Sequence, residues 1–142
     1  MEDISFHLEV VSGVRSMYSG RVKAMRITGS EGELGIRHGH TPLLTTFKAG
    51  MVSLVTADDK EDQIYLNGGI LEVQPETVTV LADTALRADD IDEAKAQEAM
   101  RAAREALTRS NAGDKDYAAA FAKLADAMAQ LKVVELARSR RK

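Results

Sequence analysis

The sequence predicts two units of different class: an antiparallel β-sandwich over residues 1–86, then an antiparallel two-helix hairpin over residues 87–142. Three observations carry this reading. Apolar and polar residues alternate at period two in the first part, between closely spaced turn signals. Composition then changes abruptly, with four alanines in residues 1–84 against seventeen in residues 85–142, and no proline after Pro75. Finally, apolar residues of the second part recur at spacings of three and four, the period of a helix face.

In chain order, Phe6, Leu8 and Val10 alternate with Ser5, His7 and Glu9, and form the first strand. Residues 28–44 hold four glycines (Gly29, Gly32, Gly35, Gly39) and Pro42, the pattern of a shaped loop between strands. Val52 and Leu54 alternate with Met51 and Ser53; Val78, Val80 and Ala82 alternate with Thr77, Thr79 and Leu81. Turn signals at Ser12-Gly13, Ser19-Gly20, Ala49-Gly50, Asp58-Asp59, Asn67-Gly68 and Gln74-Pro75 separate these runs, and Asn67-Gly68-Gly69 reads as a hairpin or a bulge. Short strands so punctuated suit a small antiparallel sandwich or barrel.

Asp90, with Glu93 three positions on, reads as a capping box that starts a helix at Ile91. Its inner face would carry Ala96, Ala99, Met100, Ala103 and Leu107. Residues 110–113 end it, and Asp114 or Asp116 starts a second helix whose face would carry Tyr117, Phe121, Leu124, Met128 and Leu131. So short a connection makes the pair an antiparallel hairpin. An alanine stripe buries little area, while alanine has the best helix propensity, so such helices can stay helical when their packing partner changes.

Composition excludes several classes. With no cysteine there is no disulfide, thiolate nucleophile or cysteine zinc site. No apolar run approaches the ~20 residues of a membrane helix, and the acidic N-terminus lacks a signal-peptide stretch, so membrane association is expected only through a partner. The net charge of −3 divides into −5 over residues 1–84 and +2 over residues 85–142, with base concentrated in Arg138, Arg140, Arg141 and Lys142. A largely acidic chain without aromatic-interleaved basic stripes does not suit nucleic acid. No serine stands in a nucleophile-elbow context. His7, His38 and His40 lack further converging ligands for a metal. The glycine-rich loop lacks the Gly-Lys-Ser/Thr of a phosphate cradle, and Glu31 and Glu33 would repel phosphate.

Four strings in order resemble the epsilon subunit of bacterial F-type ATP synthases: Gly29-Ser30-Glu31-Gly32-Glu33-Leu34-Gly35-Ile36, Gly39-His40-Thr41-Pro42-Leu43-Leu44, Gly68-Gly69-Ile70-Leu71-Glu72-Val73-Gln74-Pro75, and Thr77-Val78-Thr79-Val80-Leu81-Ala82-Asp83-Thr84-Ala85. The resemblance covers essentially the whole chain. It implies a non-catalytic rotor subunit on the cytoplasmic face of the bacterial inner membrane, coupling rotation of gamma and the c-ring to the catalytic head. A small adaptor of another multiprotein assembly is the alternative.

By the same resemblance, Glu31, Gly32 and Glu33 meet the c-ring, and His40 meets gamma; His38 stands where the family commonly has proline. The hairpin would either fold on the sandwich or extend into the alpha/beta head and suppress ATP hydrolysis, with Arg138, Arg140, Arg141 and Lys142 against acidic surfaces there. Asp92 and Lys95 fall where some members bind regulatory ATP. Lys95 replaces an arginine and lacks its bidentate fork, so the implied ATP site is weak, and Asp92 serves the helix dipole equally well.

Overall fold

The computed structural model describes residues 4–13, 15–29, 32–111, 113 and 115–140. Seven strands come first: β1 (Phe6–Ser12), β2 (Arg15–Gly29), β3 (Gly32–Arg37), β4 (Leu43–Phe47), β5 (Gly50–Thr56), β6 (Glu61–Val73) and β7 (Thr77–Arg87). A 3-10 turn (Ala88–Asp90) leads into α1 (Glu93–Arg109) and α2 (Lys115–Arg140). The strands run in the order β1-β7-β6-β5-β2-β3, β4 joins β6, and a β1–β2 pairing closes the ring. The result is a flattened, closed sandwich. Every ladder is antiparallel except β1–β7, which is parallel; β1 and β7 are far apart in the chain, so no tight turn dictates their relative direction.

The period-two runs point inward as expected. Phe6, Leu8 and Val10, Val52 and Leu54, and Val78, Val80 and Ala82 are all buried in one aliphatic core with Val22, Ile36, Ile64, Leu66 and Leu71. Two of the turn signals lie inside strands instead. Ser19-Gly20 sits within β2, opposite Glu9 and Leu8 of β1, and the Tyr18 ring fills the space a Gly20 side chain would take. Asn67-Gly68-Gly69 lies within β6, where that strand passes from β5 to β4. Gly69 has a φ of 149°, and a Cβ there would stand 2.1 Å from the Leu81 carbonyl oxygen. Only glycine lets the strand turn this corner so close to β7.

The helical segment departs from expectation in two ways. Asp92, not Asp90, caps α1: its carboxylate accepts from the Lys95 N–H at 3.0 Å. Asp90 closes the preceding 3-10 turn, accepting from the Arg87 N–H at 3.4 Å. One turn of tighter helix intervenes, so the cap shifts by two residues. Asp114 lies outside the described residues, and Asp116 falls in the first turn of α2.

The buried face of α2 is also not the one its large side chains suggest. Phe121 and Met128 are 50% and 49% exposed, whereas Ala120, Ala127, Val133 and Ala137 are buried. Ala96 and Ala103 are the buried residues of α1. The helices therefore approach along small side chains, and bulky neighbours are displaced to the flanks. α1 packs on α2, and α2 packs on β5 and β6. A second apolar cluster holds that contact, formed by Met51, Tyr65, Ile91 and Val133 with Leu86, Ala129, Val134 and Leu136 against them.

Candidate partner surfaces and the hairpin clasp

The β2–β3 hairpin carries the first expected site. Glu33, the second residue of β3, lies opposite Thr28 of β2, and its carboxylate accepts from the Thr28 hydroxyl at 3.3 Å and lies 3.7 Å from Arg26. Half of the Glu33 side chain stays exposed, so its charge is partly offset within the chain and still presented outward. Gly32 has a φ of 124°, the backbone state that lets so short a connection reverse. Glu31 lies outside the described residues.

His40 follows the turn after β3. Its N–H donates to the Arg37 carbonyl at 3.1 Å and its Nδ1–H to the Thr41 carbonyl at 2.7 Å. The Gly39 N–H donates to the Pro75 carbonyl at 3.1 Å, so this turn is tied to the β6–β7 turn. His40 thus sits at one end of a sheet face that the sequence reading did not single out. There, Leu44 (69% exposed), Ile70 (43%) and Leu81 (50%) form an apolar strip across β4, β6 and β7. Ile70 pairs with Leu81 and Thr46, and Leu44 lies two residues from Thr46 on the same face. The signal was present: these aliphatics occupy the outward phase of strands whose inward phase is already filled. A neighbouring cluster is not catalytic in geometry. Ser19 and His7 both bond the same Glu9 oxygen, at 2.6 and 2.8 Å, which places the acid between the two groups a nucleophile–base pair would need in contact. Those two hydrogen bonds, Ser19 first, hold the Glu9 carboxyl below its ordinary range.

Asp92 and Lys95 meet through the helix cap, where the Asp92 side chain accepts from the Lys95 backbone N–H. The Asp92 carboxylate serves as the cap, Lys95 is exposed, and neither lines the open groove of about 1480 Å³ between hairpin and sandwich. That groove runs between Phe47, Lys48, Ala49, Asn67 and Gly68 on one side and the alanine-rich faces of both helices on the other. The far end of the hairpin therefore overhangs the sandwich, and the contacts of α2 with the sandwich run from Asp126 toward its C-terminal end.

The basic end of α2 is engaged within the chain. Arg138 donates to Glu93 at 2.6 Å. Arg140 lies 3.8 Å from Asp62, which also receives Arg87 at 2.5 Å. Arg141 and Lys142 lie outside the described residues. Midway along α2, the Tyr65 hydroxyl donates to the Asp126 carboxylate, and the Gln130 amide donates to its other oxygen at 3.2 Å. Burial pushes the Asp126 carboxyl above its ordinary value, opposed by the Gln130 bond. Among the described residues, no group of three or more candidate ligands gathers for a metal, and no helix is long and apolar enough to cross a membrane.

Comparison with known proteins agrees with this architecture. The family model for the β-sandwich domain of the ATP synthase delta/epsilon chain matches residues 5–88, and the model for that chain's long α-helix domain matches residues 89–135. Among solved structures, a chain of the Euglena gracilis mitochondrial ATP synthase (OSCP/F1/c-ring, rotational state 1) is similar at 20% identity. The match covers 98% of this chain and 82% of that one, with a TM-score of 0.66. A chain of the Tetrahymena thermophila mitochondrial ATP synthase central stalk/c-ring is similar at 10% identity, covering 94% and 99%, with a TM-score of 0.59. At such identities the structural likeness speaks for the fold; the family follows from the two sequence models, which together account for nearly the whole length, and the chain belongs to the ATP synthase delta/epsilon family.

Proposed function

We propose that this chain is a non-catalytic central-stalk subunit of a proton-translocating F-type ATP synthase, on the cytoplasmic face of a bacterial inner membrane. In this reading residues 1–86 bind gamma and the c-ring and couple their rotation to the catalytic head. Residues 87–142 form a regulatory hairpin that restrains ATP hydrolysis when it leaves the sandwich and enters the alpha/beta head. The observation that carries the reading is the pairing of the family match with a hairpin held on the sandwich by one small apolar cluster and a few polar contacts.

The strip of Leu44, Ile70 and Leu81 beside His40 supports a gamma-binding face. Contiguous exposed aliphatics on a sheet are costly in water and are retained where a partner covers them. Glu33 at the opposite hairpin supports a contact with basic c-ring side chains. Arg138 and Arg140 would exchange their intramolecular acids for acidic surfaces of the head, and Arg141 and Lys142 would add to that contact. Asp92 and Lys95 would supply only a weak regulatory ATP site. The test of the partner face is co-purification with gamma: Ile70→Asp should abolish it while the fold persists. Retention of gamma by this variant would overturn the assignment of the strip.

A further inference from the structure

We propose that Tyr65 and Asp126 form a latch that fixes the register of α2 on the sandwich and sets how readily the hairpin leaves it. This rests on the functional reading above, in which the hairpin moves. The remainder of the docking interface is poor in direction. Ala129, Val133, Val134 and Leu136 meet Met51, Leu86 and Ile91 through small aliphatic surfaces. A slip of one helical turn, about 5.4 Å, would bring Ala129 or Ala137 to the place of Val133 and Gln130 or Arg138 to that of Val134, which weakens the apolar contacts without offering any directional one.

The Tyr65–Asp126 contact does not permit that slip. Tyr65 is 2% exposed, and its hydroxyl finds its acceptor in the Asp126 carboxylate. Asp126 is itself partly buried, and the hydrogen-bond partners of its carboxylate are neutral: the Tyr65 hydroxyl and the Gln130 amide one turn on. Displacing α2 by a turn strands a desolvated carboxylate and leaves a buried hydroxyl unpaired, and both are costly. A polar pair with a fully buried hydroxyl, set among small aliphatic contacts, is suited to specifying register. The Arg140–Asp62 contact is longer, at 3.8 Å, with the two side chains 31% and 30% exposed, and Arg138–Glu93 joins α2 to α1, so neither holds α2 on the sandwich as the buried hydroxyl does.

The absence of cysteine allows a clean reporter, with spin labels at Glu76→Cys on the β6–β7 turn and Gln97→Cys on α1 of the full chain. Tyr65→Phe and Asp126→Ala should each raise the fraction outside the docked distance about tenfold, the scale of one net intramolecular hydrogen bond. Combining them should add little to either alone. Asp126→Asn keeps an acceptor oxygen and should retain the docked distribution. Because Asp126 lies on α2, its variants test the latch even if Tyr65→Phe disturbs the sandwich. Unchanged distances in Asp126→Ala, or an Asp126→Asn that behaves like alanine, would overturn the latch. The distances are read without any catalytic complex, so they separate the two claims. A released hairpin that leaves ATP hydrolysis unaltered would sustain the latch and overturn the regulatory reading.

Discussion

Val133 is the most informative single position in the docking interface. It is fully buried in the cluster with Met51, Tyr65 and Ile91, and it belongs to α2 rather than to the sandwich. Val133→Ala removes two methyl groups, about 1.6 kcal/mol at ~0.8 kcal/mol per buried carbon, and the residual cavity brings the cost to about 2 kcal/mol. At 1.4 kcal/mol per factor of ten, the undocked population should rise roughly 30-fold. Alanine is the better helix former, so α2 itself loses nothing. Native-state hydrogen exchange reads this directly. The released hairpin lacks the sandwich behind it and frays more readily, so exchange through release should accelerate at the α1 and α2 amides by about that factor, while the amides of Val52 and Val80 keep their protection. Equal acceleration in helices and strands would show that hairpin and sandwich open as one unit, and the reasoning would fail. So would unchanged protection in α2.

Three other outcomes follow from the same geometry. Gly69→Ala must place a Cβ against the Leu81 carbonyl in a left-handed backbone state, so thermal unfolding should show a loss of about 3 kcal/mol or more, or no folded product. Burial raises the Asp126 carboxyl in the docked state, so docking holds that proton more tightly than release does. Its contribution is fully present below the ordinary carboxylate value and is lost as pH rises through the docked-state value. Spin-label distances should therefore tighten toward acid pH, and Asp126→Asn should flatten that dependence. With the Asp92 carboxylate committed to the α1 cap and Lys95 lacking a guanidinium, ATP should bind no tighter than about 1 mM. At 1 mM it would stabilise the chain by only about 0.4 kcal/mol; calorimetric titration showing micromolar affinity would contradict this.

The inward strand phases were legible in the sequence because period-two alternation has one physical meaning when one face is buried. Val52, Leu54, Val78 and Val80 needed no tertiary information. The strand corners were less legible. Asn67-Gly68-Gly69 carries the composition of a turn, yet here glycine serves close approach to β7 within one continuous strand. Local sequence does not distinguish a reversal from a bend.

The helix face was misread for a related reason. Three- and four-residue spacing points to Phe121 and Met128, but antiparallel helices meeting along alanines bury the small residues and leave these large ones at the flanks. The apolar strip of Leu44, Ile70 and Leu81 was readable as outward-phase aliphatics, but only once register placed the three strands side by side. The Tyr65–Asp126 contact joins residues 61 positions apart and left no local trace.

The central claim is that the hairpin regulates and the sandwich couples. The most direct test is ATP hydrolysis by a catalytic complex depleted of this subunit, with the full chain or a chain truncated before Ala88 added back. The account predicts that both versions bind gamma and only the full chain suppresses hydrolysis. Equal suppression by the truncated chain, or none by either while gamma is bound, would contradict it.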